Sequence, residues 1–99
     1  MALSFVGAIT GYTIVRGDAF SLDLTSLTGG SGSTAETGDI VLVNVSASRA
    51  TPGVSTSGYT EWGYIKGNDT YDTETSFNYK VMGATTDTTV GISVPTVYG

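Results

Sequence analysis

The chain has 99 residues, among them 14 glycines, and carries a formal charge of −5 from nine acidic and four basic side chains, with no histidine and no cysteine. That removes the group most used for acid–base chemistry near neutral pH, along with thiolate nucleophiles and thiolate metal sites. The basic residues Arg16, Arg49, Lys66 and Lys80 are scattered singly in a chain of pI near 4.1, so no cluster exists to draw in nucleic acid or an anionic membrane.

Apolar residues recur with period two, in runs rich in β-branched and aromatic types, and the pattern predicts strands rather than helices. In chain order, residues 3–8 and 11–16 are short candidate strands. Residues 19–25 alternate, with Phe20, Leu22 and Leu24 on a buried face and Ser21, Asp23 and Thr25 on a wet one. The strongest strand runs from Asp39 to Val45. Its consecutive Ile40, Val41, Leu42 and Val43 predict a central position covered on both faces. Residues 59–66 form another strand, with Gly63 marking a bulge or a close backbone approach. By strict alternation Trp62 and Tyr64 share one side and Tyr59 shares the other with Glu61. Residues 75–82 divide into Phe77, Tyr79 and Val81 against Ser76, Asn78 and Lys80, and residues 89–94 turn Val90, Ile92 and Val94 inward.

About six to eight short strands in one domain spanning 1–99 predict an all-β fold, an antiparallel β-sandwich of jelly-roll or Ig-like type. Two long loops interrupt it. Residues 26–38 have the composition of a flexible linker with only Leu27 to pin it, and residues 46–58 carry the turn pair Pro52-Gly53. Both are candidate contact arms. A globule of this size buries somewhat over 60% of its unfolded surface, so marginal stability as a monomer is expected, with relief from homo-oligomerisation. The N-terminus lacks the basic and apolar regions of a secretory signal, which predicts a soluble protein whose encoded start is its physical start.

Few constellations carry chemistry. The acidic run 68–74 holds Asp69, Asp72 and Glu74, oxygen donors for a hard cation, but lacks the spacing of a calcium loop and reads first as a solvated turn. Glu61 with Asp69 or Asp72 is a candidate glycosidase pair if the carboxyl separation suits. Trp62, Tyr64 and Tyr71 are candidate binding residues for a sugar ring, although core packing is the default for a sole tryptophan in a small domain. The Asn44 and Asn68 triplets match a glycosylation pattern that recurs by chance, and the Gly29–Ser33 stretch has neither a nucleophile elbow nor a phosphate-binding lysine. No catalytic residue, metal or cofactor is expected.

Read together and in order, several segments resemble a known group. They are Met1-Ala2-Leu3-Ser4-Phe5-Val6-Gly7, the strand from Gly38-Asp39 to Val43, a loop containing Pro52, Ser57 to Glu61, Asn68 to Thr73, and Asn78-Tyr79-Lys80-Val81 running on to Thr85. In this order they are similar to small β-rich virion structural proteins of tailed bacteriophages, whose outline is a Met-x-Leu-x-Phe-Val-Gly start, a Gly-Asp strand, a Pro-x-Gly-Trp-Thr turn and a Tyr-Lys-Val strand. Here Tyr59 stands at the tryptophan of that turn, and Pro52 lies several residues early. The resemblance implies a virion location and a capsid decoration or cement role in many copies. The implied partners are other virion proteins, foremost the major capsid protein, and not nucleic acid or membrane. A tail or fibre module binding host-surface glycan is the alternative, and a small acidic glycosidase the third reading.

Overall fold

The computed structural model describes residues 4–12, 19–48, 52–67 and 73–94. The described residues contain no helix and eight strands: β1 (Gly7–Ala8), β2 (Ala19–Asp23), β3 (Thr28–Gly29), β4 (Ile40–Ser48), β5 (Gly53–Val54), β6 (Thr60–Lys66), β7 (Thr73–Val81) and β8 (Thr89–Ser93). All pairings are antiparallel. Two three-stranded sheets, ordered β2-β8-β5 and β4-β7-β6, make a sandwich-type fold, and β1-β3 forms a small ribbon beside them. The predicted strand 11–16 falls largely outside the described residues.

Each element follows from its residues. On β2 the larger side chains Phe20 and Leu22 face inward, with Leu24 beyond them, opposite Val90 and Ile92 of β8. The strand stops where Asp23 closes a turn: its carboxylate accepts hydrogen bonds from the Thr25 hydroxyl (2.5 Å), the Thr25 N–H (2.8 Å) and the Ser26 hydroxyl (2.9 Å). Those bonds, led by the Thr25 hydroxyl, hold the Asp23 carboxyl below its ordinary range. The core between the sheets is small. Leu24, Ala35, Val43, Val45, Met82, Val90 and Ile92 are buried, with Phe20, Leu22, Val41, Val54 and Tyr59 packed against them.

Segment 26–38 is not a free arm. Ala35 is buried, the Ala35 N–H bonds to the Leu24 carbonyl at 3.0 Å and the Leu27 N–H to Ser33 at 2.9 Å. Ser31 and Gly32 donate to the carbonyls of Phe5 and Val6, which ties the loop to the N-terminal segment. Gly30 is needed here because a Cβ would run into those two carbonyls. Within 46–58, β4 continues to Ser48, Pro52 is buried and β5 pairs with β8, so that loop too is largely built into the sandwich.

The expected placement of residues 39–45 needs correction. β4 stands at one edge of its sheet, and Ile40 and Leu42 are 60% and 69% exposed. Four consecutive apolar residues demand two covered faces only if a layer is available for each. In this chain the β2-β8-β5 sheet covers the side of Val41, Val43 and Val45.

A candidate interaction surface on the β4-β7-β6 sheet

Register fixes the two faces of this sheet. Val41 pairs with Lys80, Val43 with Asn78, Val45 with Ser76 and Ala47 with Glu74, and these point toward the other sheet. Ile40 pairs with Val81, Leu42 with Tyr79 and Asn44 with Phe77, and these point away. On β7 the inward row is therefore the polar one. Glu74, Ser76 and Asn78 are buried, whereas Tyr79 and Val81 are exposed.

The inward polar row is tolerated because it is bonded. Asn78 donates to the Val43 carbonyl at 3.3 Å and to the Ser76 hydroxyl at 2.7 Å, and Ser76 donates to Glu61 at 3.2 Å. The Tyr64 hydroxyl donates to Glu74 at 2.5 Å. Lys80 forms a 2.7 Å ion pair with Asp87, reaches the Ser57 carbonyl at 3.4 Å and lies 5.6 Å from the Tyr59 ring centroid. The buried Tyr59 hydroxyl has no hydrogen-bond partner among the described residues. Its pKa is pushed up to about 12, first by burial and then by the negative charge of Asp87.

A bulge decides where the tryptophan goes. Glu61 pairs with Asn78 and Gly63 with Phe77, leaving Trp62 as the extra residue. From there the alternation shifts. Trp62 lies with Phe77 on the outward face, while Tyr64, opposite Ser76, turns inward. The expectation that Trp62 and Tyr64 share a side is thus corrected, and the bulge at Gly63, which the sequence marks, is the cause. A core role for Trp62 is corrected as well: it is 61% exposed, with its ring 5.3 Å from that of Phe77 at a 40° tilt. Gly63 permits this stack, since a Cβ there would sit 3.3 Å from the Phe77 ring.

Of the nine large apolar side chains exposed among the described residues, six lie on this outward face: Ile40, Leu42, Trp62, Ile65, Tyr79 and Val81. The positions between them are Asn44, Ser46, Ser48, Thr60, Thr73 and Thr75, so the described residues of this face carry no charge. Contiguous apolar areas of this kind mark contact sites. Single-sequence reading missed the face because alternation identifies two sides without saying which is covered. The excess of apolar residues on the Phe77 side of β7, together with Ile40 and Leu42, was the available signal.

The other candidates do not converge. Tyr64 faces away from Trp62, and Tyr71 lies outside the described residues, as do Asp69 and Asp72. Glu61 is solvent-facing and hydrogen-bonded by Ser76, and Glu74 is buried against Tyr64. Among the described residues no three His, Cys, Asp or Glu side chains stand close enough to hold a metal ion, and no helix is long and apolar enough to cross a membrane. A groove of about 420 Å³ beside β4, lined by Ile9, Tyr12, Phe20, Leu22 and Val94 among others, is chiefly apolar in its side chains and assembles no acid–base pair. Compared with known proteins, the chain matches no family model, no curated protein and no solved structure.

Proposed function

We propose that the chain is a structural subunit of a tailed-phage particle, a decoration or cement protein that sits on the capsid in many copies and acts by contact rather than turnover. The observation that carries the contact role is the outward face of the β4-β7-β6 sheet, whose described residues are uncharged and leave six large apolar side chains exposed, while the described residues bury a hydrophobic core of seven. A subunit of this kind gains stability from assembly, because a partner that binds only the folded form shifts the folding equilibrium toward it. The virion setting rests on the ordered resemblance described above, with the major capsid protein as the expected partner.

The test is reconstitution. Purified chain is added to capsids that lack it, and bound copies are counted after sedimentation. Saturable binding to capsids is expected; attachment to tails or host cells instead moves the protein elsewhere on the particle or off it.

The exposed Trp62–Phe77 pair specifically favours a second reading, a module that stacks a host-surface sugar ring on the indole. Trp62→Ala then abolishes glycan or cell binding while the domain stays folded.

A further inference from the structure

We propose that residues 55–59, the crossover that carries the chain from β5 in one sheet to β6 in the other, form a strap that opens as a unit while the rest of the sandwich stays closed, and that the Lys80 side chain is the latch holding it shut. The inference goes beyond the capsid role and does not depend on it, because it concerns how one end of this domain is fastened.

Residues 24–39, 55–59 and 82–88 all pass between the two sheets at the same end of the sandwich. Register places them there: Asp23 stands beside Thr89 where β2 ends and β8 begins, and Ile40 and Thr60, which open β4 and β6, pair with Val81 and Tyr79 at the end of β7. The first and third passages are joined by main-chain bonds. The Leu24 N–H donates to the Thr88 carbonyl, the Gly38 N–H to the Met82 carbonyl and the Met82 N–H to the Asp39 carbonyl, each at 2.8 Å, and the Thr37 hydroxyl adds a bond to the Gly83 carbonyl at 2.8 Å.

The strap is fastened in another way. At its β5 end the Ser55 N–H donates to the Gly91 carbonyl at 2.9 Å and the Gly91 N–H to the Thr56 hydroxyl at 2.7 Å. At its β6 end the fastening is one side chain. Lys80, on the inward row of β7, reaches the Ser57 carbonyl at 3.4 Å, lies 5.6 Å from the Tyr59 ring centroid and pairs at 2.7 Å with Asp87 of the passage 82–88. Gly58 lets the strap come this close: its φ is +91°, and a Cβ there would stand 3.1 Å from the Lys80 Cε and Nζ. A single ammonium therefore joins the strap to its neighbouring crossover.

Tyr59 works against the closed position. Its ring packs on the core, but its hydroxyl is buried with no hydrogen-bond partner among the described residues, and water satisfies that group once the strap lifts. Ser55, Ser57 and Gly58 are exposed, and a short exposed segment held by few bonds belongs to the parts of a fold that open first. The latch is stronger than a surface ion pair because Lys80 and Asp87 are only 19% and 23% exposed, where salt and water screen them less.

The experiment is native-state hydrogen exchange of the purified full chain, read at the amides of Ser55 and Gly91 for the strap and of Leu24 and Met82 for the other two crossovers. In the parent chain the strap amides are expected to exchange at least ~10-fold faster than Leu24 and Met82, and to respond less to low urea, because a local opening exposes less surface than global unfolding. Lys80→Met and Asp87→Asn should each speed the strap amides by a further ~10-fold or more. Four amides that exchange together with one urea dependence, or strap amides indifferent to both substitutions, overturn the proposal; if Lys80→Met fails to fold, Asp87→Asn and the urea dependence of the parent chain decide.

Discussion

Trp62 and Phe77 stack with ring centroids 5.3 Å apart on a face that the chain leaves open to solvent. Because Trp62 is the sole tryptophan, its emission reports on that face alone. The spectrum is expected to be that of an exposed indole, readily quenched by acrylamide. Trp62→Ala should cost about 1 kcal/mol, the worth of an aromatic pair on a half-open surface, rather than the ~3–5 kcal/mol of a core aromatic. Denaturant unfolding measures the difference.

Lys80 and Asp87 are joined at 2.7 Å with side chains 19% and 23% exposed, so the pair is held in a partly dry setting. Asp87→Asn leaves the ammonium there without its counter-charge and is expected to destabilise by about 2 kcal/mol, less than for a fully buried pair. Adding Lys80→Met should recover part of that loss. A non-additive double-mutant cycle by urea unfolding is the readout.

Tyr59 gives the fold a limit on the alkaline side. Its phenol has a pKa of about 12 in the folded chain against 10.0 for the free group, so between these values the unfolded chain gives up a proton that the folded chain keeps. The stabilisation is complete below pH 10 and is lost as pH rises through about 12. Tyr59→Phe removes a buried hydroxyl that has no hydrogen-bond partner among the described residues and is expected to be neutral or stabilising at pH 7, by up to ~1 kcal/mol. Spectrophotometric titration, with stability measured at each pH, should lose in the variant the tyrosine that ionises near pH 12.

The sandwich was legible because β2 and β8 alternate cleanly: Phe20, Leu22, Val90 and Ile92 point inward as their period requires. The candidate surface was not, for three physical reasons. A run such as Ile40–Val43 states how much apolar area needs cover and not whether the chain supplies the cover. The inward row of β7 is chosen by hydrogen bonds among Glu61, Ser76, Asn78 and Val43, residues far apart in sequence. The bulge after Glu61 shifts every later side chain of β6 by one face, so Gly63 was a visible mark with an invisible consequence. Loop 26–38 misleads by composition, since the bonds that pin it run from its own backbone to Phe5, Val6 and Leu24.

The buried bonds of Asn78 offer the sharpest check on which way β7 faces. Its amide donates to the Val43 carbonyl and to Ser76, and Ser76 is fully buried. Asn78→Val removes the donor that the Ser76 oxygen accepts from, in a place where water is not a ready substitute, and is expected to cost about 1–3 kcal/mol. Ser76→Ala in the same molecule removes the oxygen that has lost that donor, together with the bond it gives to Glu61, so the two losses overlap and the double variant should cost less than the sum of the single changes. On the opposite row, Tyr79→Thr should change stability by less than either, since that side chain is already 39% exposed. Were the strand turned the other way, the ranking would invert: Tyr79→Thr would be the damaging change and Asn78→Val a mild surface one, and a single set of urea transitions distinguishes the two orders.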